Sequence, residues 1–201
     1  MEEEMNVLGI SGSYRERSNS HILLQHALRP FEEAGWDVTL LRLRGRTVGP
    51  CEGCDHCRSH GNKCKIVDDM HLFYDALRRC DALVVASPVY SRNVCSQVMA
   101  VFDRYYAVDP ERPLEGKVGG AIAVGAGGGG GQSITICTIY NWMRSCGMVG
   151  VPGEMNGVTA VALEEGEVLG QEKRLRQART LGQNVLRFAT RLGGHMQSRN
   201  R

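Results

Sequence analysis

The sequence predicts an α/β protein built on a doubly wound parallel sheet of five strands. Five short apolar runs alternate along the chain with five stretches whose apolar residues recur at helical spacing. Strands that alternate with helices form parallel sheets covered on both faces. The chain has 201 residues, 42% hydrophobic and 23% charged, which is typical of a globular protein. Because no linker or repeat interrupts it, we expect one domain spanning residues 1–201.

The first strand is predicted at 5–11 (MNVLGIS) and the second at 37–43 (DVTLLRL). Apolar residues at helical spacing lie between them, and Gly35 stands where that helix would end. The third strand, at 82–87 (ALVVAS), follows a helical stripe of apolar residues. Asp68 or Asp69 is the candidate N-cap of that helix.

The second half of the chain continues the alternation. A fourth strand is predicted at 118–125 (VGGAIAVG) and a short fifth at 148–152 (MVGVP), with helical stripes before, between and after them. Residues 153–168 have no clear period, and we expect an irregular connection there. Right-handed crossovers leave few topologies, and five strands in this length suit a flavodoxin-like order, 2-1-3-4-5.

The charge and hydropathy of the chain exclude several classes of protein. The formal net charge of +2 is too small to indicate nucleic-acid binding. The first residues, MEEEMNVLGI, lack the basic start and long apolar run of a signal peptide. No run approaches the roughly 18 apolar residues of a membrane span. We therefore expect a cytoplasmic protein, in which the eight cysteines stay reduced.

In a sheet of this kind, ligands bind beyond the carboxyl ends of the strands, where the strand order reverses. The loop after strand 1, SGSYRERSNS at 11–20, is rich in hydroxyls and has two arginines. Its hydroxyls, the charge of Arg15 and the N–H groups at a helix N-terminus suit a monophosphate. The loop lacks the lysine of a Walker loop and the glycines of a dinucleotide fingerprint. The alternative is a polar loop in which Ser18 or Asn19 only caps the helix.

Two more loops lie at the same predicted edge. SPVYSRN at 87–93 offers a stiff proline, apolar faces and an amide, which would suit a flat ring with polar edges; alone it could equally be an ordinary turn. GAGGGGGQS at 125–133 joins a strand directly to a helix. Glycines there allow a ligand to approach the backbone closely, although such a run is also typical of a flexible linker.

Four cysteines lie close together after strand 2, in CEGCDHCRSHGNKC at 51–64. Clustered cysteines in an intracellular protein more often bind metal than form disulfides. The compact spacing favours a four-iron, four-sulfur cluster, because three cysteines separated by two residues are typical of ferredoxins. A zinc site and free thiols remain alternatives. The four ligands would be Cys51, Cys54, Cys57 and Cys64.

Other reactive side chains have simpler interpretations. We expect the scattered cysteines at 80, 95, 137 and 146 to be small core residues. His56 and His60 are expected to face solvent. Asp103 and Arg104 are adjacent on a predicted helix and point apart, so we interpret them as structural rather than as a catalytic pair.

With these motifs in view, the chain resembles the iron–sulfur flavoproteins of anaerobic archaea and bacteria, a branch of the NAD(P)H-dependent FMN reductases with a flavodoxin-like fold. The resemblance runs from GISGSYRERSNS through the cysteine motif to SPVYSRNVCSQVMAVFDR and GGGGGQSITICTIYNWMRSCGMVGV. The chain departs from the family at Tyr14, where proline is common, at Met99, where lysine is common, and in the purity of its glycine run.

The resemblance implies two cofactors and their ligands. The phosphate end of FMN would be held by Ser11, Ser13, Arg15, Ser18, Asn19 and Ser20. Its ring system would be surrounded by Pro88, Val89, Tyr90, Asn93, Ala126, Gly127, Gly128, Gly129, Gly130 and Gly131. A [4Fe-4S] cluster would be held in a cysteine-rich loop at 49–65.

The resemblance also implies an FMN-dependent oxidoreductase that takes electrons from a ferredoxin-like donor and passes them through the cluster to FMN. The acceptor would be oxygen, peroxide or a quinone, and the protein would be a homodimer or homotetramer without nucleic-acid or membrane partners. Two alternatives remain: a cluster-free NAD(P)H-dependent FMN or quinone reductase, and a non-enzymatic redox carrier or sensor.

Overall fold

A computed structural model describes the backbone of residues 5–199 and the side chains of residues 5–193. Six helices cover a mainly parallel sheet. The strands are β1 (Asn6–Ser11), β2 (Asp37–Arg42), β3 (Ala82–Tyr90), β4 (Asn93–Val94), β5 (Val118–Gly125), β6 (Val149–Gly150) and β7 (Val158–Val161). The helices are α1 (Asn19–Glu33), α2 (His56–Ser59), α3 (Met70–Arg79), α4 (Ser96–Arg104), α5 (Gly131–Ser145) and α6 (Glu172–Arg199).

The strand order along the sheet is β2-β1-β3-β5-β6, which confirms the predicted 2-1-3-4-5 order. Every pairing along this path is parallel. The carboxyl ends of β1, β3 and β5 therefore lie side by side at one edge, which we call the carboxyl edge. The short β4 turns back on β3 as an antiparallel hairpin at that edge.

The outer neighbour of β5 differs from the prediction. β6 pairs only with residues 118 and 119 of β5, and β7 pairs with residues 122–125. The expectation of an irregular connection at 153–168 is therefore wrong for 158–161. The physical reason is that β6 leaves most of the outer side of the eight-residue β5 without backbone partners. The side chains of Val158 and Ala160, which alternate along β7, are buried.

Apolar side chains fill both faces of the sheet. Helices α1 and α6 pack on one face, and α3, α4 and α5 pack on the other. The contact between α1 and α6 requires glycine at 182, where a Cβ atom would lie 1.9 Å from the carbonyl oxygen of Ala27. No helix in the described range 5–199 has the length and apolar character of a membrane span.

All eight cysteines are free thiols. Cys80, Cys95 and Cys146 are buried, as predicted for core residues. The same prediction is wrong for Cys137, which lies on the exposed face of α5. This helix buries Ile136 and Ile139 against the sheet, and Cys137, one of the two residues between them, points to the other side.

Candidate functional site

Three loops with unusual compositions meet at the carboxyl edge around a cavity of about 180 Å³. We call it the edge cavity. The lining includes predicted ligands from each loop: Ser13, Arg15, Ser18, Asn19, Ser20, Pro88, Val89, Tyr90 and Ala126. Val124, Gly125 and Ala162, which were not among the predicted ligands, complete it. Ser11, Asn93 and residues 127–131 are not among the lining residues.

The 11–20 loop is fixed in place by its own side chains. Ser18 is the N-cap of α1, and its hydroxyl accepts a hydrogen bond from the backbone N–H of His21 at 3.4 Å. The loop also needs glycine at 12, because a Cβ atom there would lie 2.4 Å from Val98. The hydroxyl of Ser11 is buried and has no hydrogen-bond partner in the protein. Such an orphan is uncommon and is consistent with a loop built to hold a ligand.

Residues 163–168, a segment distant in sequence, pack on this loop and form hydrogen bonds with several polar groups of the loop. The Asn19 amide donates to the carbonyl of Glu164 at 2.7 Å, and its oxygen accepts from the N–H of Val168 at 3.1 Å. Arg15 donates to the carbonyl of Leu163 at 2.6 Å. The side chain of Asn19 is thus already satisfied, which leaves its backbone N–H for a bound anion.

The acidic residues of the 163–168 segment were missed by sequence reasoning. The Glu165 carboxylate accepts a hydrogen bond from the N–H of Arg17 at 3.0 Å, inside the 11–20 loop. A negative charge therefore lies beside the loop that was predicted to bind phosphate. The short apolar run GVTAVAL before the acidic EEGE was the available signal, since it reads as a strand that ends at this edge.

The second loop is a two-residue hairpin turn between β3 and β4. Ser91 and Arg92 have φ values of 47° and 67°, and two positive φ values are the pattern of a type I′ turn. This turn prefers Asn-Gly, so Ser-Arg is strained there. The Arg92 guanidinium donates to the carbonyl of Gly129 at 2.8 Å. The side-chain oxygen of Asn93 accepts from Val94 and Thr138, so this residue ties the hairpin to α5.

The glycine loop, residues 125–133, needs its glycines for two different reasons. Gly131 is required by packing, because a Cβ atom there would lie 2.8 Å from Val89. A Cβ atom at Gly127, Gly128 or Gly129 would meet nothing within 4 Å, and none of the three has a positive φ. Nothing in the described chain requires glycine at these three positions. A flat ligand lying against the backbone would require it, and the residues therefore fit a flavin ring.

The cysteine loop, residues 49–65, bends at four residues with positive φ: Gly53, Asp55, Gly61 and Asn62. Cys57 is buried, Cys64 is half-buried, and Cys51 and Cys54 are exposed. As predicted, His60 is exposed. Its ring stacks on that of the half-buried His56, with the ring centroids 3.7 Å apart. Four thiols within one bending loop are a donor set that suits an iron–sulfur cluster. Within the part of the chain that the structure describes, however, no three Cys, His, Asp or Glu side chains converge to hold a metal ion.

Contacts at the base of the cysteine loop come from the far end of α4. Arg104 forms an ion pair with Asp68 at 2.9 Å, and the two side chains are 1% and 7% exposed. Burial lowers the pKa of Arg104, but its hydrogen bonds to Asp68 and Tyr74 outweigh burial and raise it, so the guanidinium stays charged. The prediction that Arg104 is structural agrees with its burial. The loop tip is held by Tyr106, whose hydroxyl donates to Asp55 at 2.9 Å.

The edge cavity and the cysteine loop contact opposite ends of α4. Cys95, at the N-cap of α4, donates its thiol hydrogen to the carbonyl of Gly12 in the 11–20 loop. Arg104 is the last residue of the helix. A nine-residue helix is about 13 Å long, which sets the scale of the separation within one chain.

A larger cleft of about 680 Å³ runs along α1 and β2, away from the glycine loop and the hairpin. It shares none of the residues that line the edge cavity. Its lining holds no residue of the 125–133 glycine loop or of the 49–65 cysteine loop.

Comparisons with known proteins agree with this arrangement. Residues 5–161 match the family model described as NADPH-dependent FMN reductase. An iron–sulfur flavoprotein of Methanocaldococcus jannaschii is 35% identical over 90% of this chain and 95% of its own. One from Methanosarcina thermophila is 36% identical over 82% of this chain and 87% of its own.

Solved structures support the fold. RosB, solved with bound 8-demethyl-8-formylriboflavin-5'-phosphate, has a TM-score of 0.76 at 18% identity and covers 94% of this chain and 81% of its own. A flavodoxin from the domain Archaea has a TM-score of 0.59 at 13% identity, over 92% of this chain and 99% of its own. The flavodoxin-like fold class is thereby confirmed. The chain belongs to the NADPH-dependent FMN reductase family and is an FMN-dependent oxidoreductase related to the iron–sulfur flavoproteins of archaea.

Proposed function

We propose that this protein is an iron–sulfur flavoprotein that moves electrons from a one-electron donor to a two-electron acceptor. The observation that carries the proposal is the four-cysteine loop, which is anchored to the same helix, α4, whose other end supports the FMN loops. The names of the archaeal relatives support it, because the chain matches them over most of its length.

FMN would bind in the edge cavity. The N–H groups at the start of α1, with the hydroxyls of Ser11, Ser13, Ser18 and Ser20 and the charge of Arg15, would hold its phosphate. Pro88, Val89 and Tyr90 would border one side of the ring. The open glycines of the 125–133 loop would let the other side lie against the backbone.

A [4Fe-4S] cluster would be held by Cys51, Cys54, Cys57 and Cys64. The cysteine loop would close around the cluster; among the described residues, no three such side chains are placed to hold a single metal ion. Exposure of Cys51 and Cys54 and the positive-φ turns at Gly53 and Gly61 support such a closure. Cys57 and Cys64 pack against the core and would form the fixed half of the site.

When bound, the cluster exchanges single electrons and FMN exchanges one or two, so two electrons delivered singly, with two protons, can reduce a quinone to its hydroquinone. The chain's own residues hold the two sites apart by the length of α4. A ferredoxin-like donor would approach the exposed cysteine loop, and a small acceptor such as oxygen, peroxide or a quinone would approach the ring.

We also propose a homodimer or homotetramer. Val67 and Tyr106 are apolar side chains that flank the cysteine loop, 100% and 41% exposed. An interface that covers them would bring the cluster of one subunit towards the flavin of another and shorten the electron path.

A cluster-free NADPH-dependent FMN or quinone reductase is the second candidate. Two observations favour it: the description of the matching family, and the absence of a converged metal-ligand group among the described residues. In that case the four cysteines would be thiols or would bind zinc. A non-enzymatic redox carrier or sensor is a third candidate, favoured if the protein reduces no acceptor.

Purification without oxygen, followed by analysis of iron, sulfide, zinc and FMN, tests the proposal. We expect broad absorbance beneath the flavin bands and about four irons and four sulfides per chain. Substitution of Cys54 by serine should remove iron while FMN stays bound. Zinc in place of iron, or steady oxidation of NADPH without a one-electron donor, would support the cluster-free reductase instead.

A further inference from the structure

One guanidinium holds both ends of the cysteine loop. Arg104 donates to the carbonyl of Gly49 at 3.1 Å, two residues before Cys51, and to the carbonyl of Ile66 at 3.4 Å, two residues after Cys64. The Arg104 guanidinium also donates twice to Asp68, at 2.9 and 3.2 Å. The Asp68 carboxylate in turn accepts from the N–H of Gly49 at 2.9 Å. The spacing of the two loop ends is therefore fixed from α4.

Tyr74 links this network to a predicted cluster ligand. Its hydroxyl donates to the carbonyl of Arg104 at 3.1 Å and accepts from the Arg104 Nε at 3.3 Å. Tyr74 belongs to the buried core against which the Cys64 side chain packs, and its hydroxyl and the Arg104 guanidinium lie close enough to the Cys64 thiol to interact electrostatically with it. A permanent cation and a phenol thus lie near one sulfur, that of the half-buried Cys64.

Burial strengthens the electrostatic effect that Arg104 and Tyr74 would have on the cluster. The Arg104 side chain is 1% exposed, and charges act more strongly on each other there than in water. A hydrogen bond or a positive charge beside a ligand sulfur stabilises the more negative, reduced form of an iron–sulfur cluster. Both groups therefore favour reduction.

We propose that Arg104, together with Tyr74, is the positioning residue of the cluster site: it fixes the ends of the cysteine loop and raises the reduction potential through Cys64. This inference rests on the proposed function, because it concerns the cluster that the four cysteines would hold. A purely structural ion pair would also be buried and would also stabilise the fold, but it would not alter the redox site.

Two substitutions separate these roles. Arg104→Lys keeps the positive charge and loses the planar fork that reaches both loop ends. Tyr74→Phe keeps the aromatic ring and the Arg104 charge and loses the hydroxyl that bonds to Arg104 and lies near Cys64. Arg179→Lys is the matched control, because Arg179 forms a two-pronged pair with Glu33, at 2.9 and 2.6 Å, between α6 and α1.

The variants are purified without oxygen, and three quantities are measured: iron per FMN, the rate of iron loss to a chelator, and the cluster midpoint potential by a spectroscopic redox titration. Arg104→Lys should retain FMN and lose iron about 10-fold to 100-fold more readily, as expected when a partner behind a metal ligand is removed. Tyr74→Phe should retain iron and shift the midpoint to a more negative value. Arg179→Lys should match the wild type in all three.

The results distinguish a failure of this inference from a failure of the proposed function. Wild-type protein that contains FMN without iron and sulfide would overturn the proposed cluster, and this inference with it. A wild-type cluster whose retention and midpoint are unchanged in both variants would overturn the inference alone. If Arg104→Lys fails to fold, the midpoint of Tyr74→Phe decides, and an unshifted value counts against the proposal.

Discussion

Arg92 and Gly129 join the two loops that border the predicted ring of FMN, through a hydrogen bond of 2.8 Å from the guanidinium to the carbonyl oxygen. Arg92 lies in a strained hairpin turn, with a φ of 67°. Because strain at a binding loop persists only where the surroundings hold it, this contact indicates that the separation of the hairpin and the glycine loop matters.

Replacement of Arg92 by methionine should weaken FMN binding about fivefold, because the hydrogen bond is worth about 1 kcal/mol and preorders the site. Quenching of FMN fluorescence on titration measures the dissociation constant. Arg112→Met is the control, since Arg112 is also exposed, has a φ of 49° and pairs its guanidinium with Glu115. Equal dissociation constants in wild type and Arg92→Met would show that the contact does not order the site.

The Glu165 carboxylate should oppose FMN binding, because it occupies an N–H of the loop that would hold the phosphate. Glu165→Gln keeps the hydrogen-bond geometry and removes the charge. We expect FMN to bind several-fold more tightly at low salt, with the gain shrinking at high salt as charges are screened. Glu172→Gln, at the exposed start of α6, is the control. Weaker binding in Glu165→Gln would mean that the carboxylate serves the site instead.

Alanine in place of Gly127, Gly128 or Gly129 should affect FMN binding without affecting folding. A Cβ atom at Gly128 meets nothing within 4 Å, so Gly128→Ala should leave the stability of the FMN-free protein unchanged or raise it by up to about 1 kcal/mol. FMN affinity should fall, because the added methyl occupies the space that the ring would take. Gly170→Ala, equally open but outside the edge cavity, is the control. Unaltered affinity in Gly128→Ala would place the ring elsewhere.

Stability should fall in acid because of His21. Burial, and then the positive charge of Arg42, lower the pKa of His21 to about 4 from its usual 6.5. The folded protein therefore keeps the imidazole neutral, while the unfolded chain binds a proton once the pH falls below 6.5. The stabilisation is complete above that pH and is lost as the pH falls towards 4.

Between pH 7.5 and 5.0, protonation of His21 in the unfolded chain should lower the free energy of unfolding by about 2 kcal/mol, and urea denaturation measures this change. His21→Gln removes the titrating group and should lose about 2 kcal/mol less than the wild type over that range. The same pH dependence in both proteins would show that His21 is protonated equally in its folded and unfolded states.

Part of the candidate site could be predicted from the sequence, because each of its loops is one contiguous segment of the chain. The 11–20 loop, the hairpin and the glycine run each follow an apolar strand directly, and parallel strands carry such loops to a common edge. Ser13 and Tyr90 could thus be assigned to one cavity from the strand pattern alone. Cys137 was misassigned, since a residue between two buried isoleucines can point either inwards or outwards on a short helical stripe.

The sequence by itself determined the strand order, the position of the three loops and the compact thiol motif, because periodicity and composition are local properties of the chain. Only the tertiary structure decided that Asn19 bonds to residues 164 and 168, that β7 shares the outer edge of β5, and that Arg104 binds both ends of the cysteine loop. These contacts join residues 36 to 149 positions apart, and nothing in a local pattern specifies which buried polar groups will find each other once the core has packed.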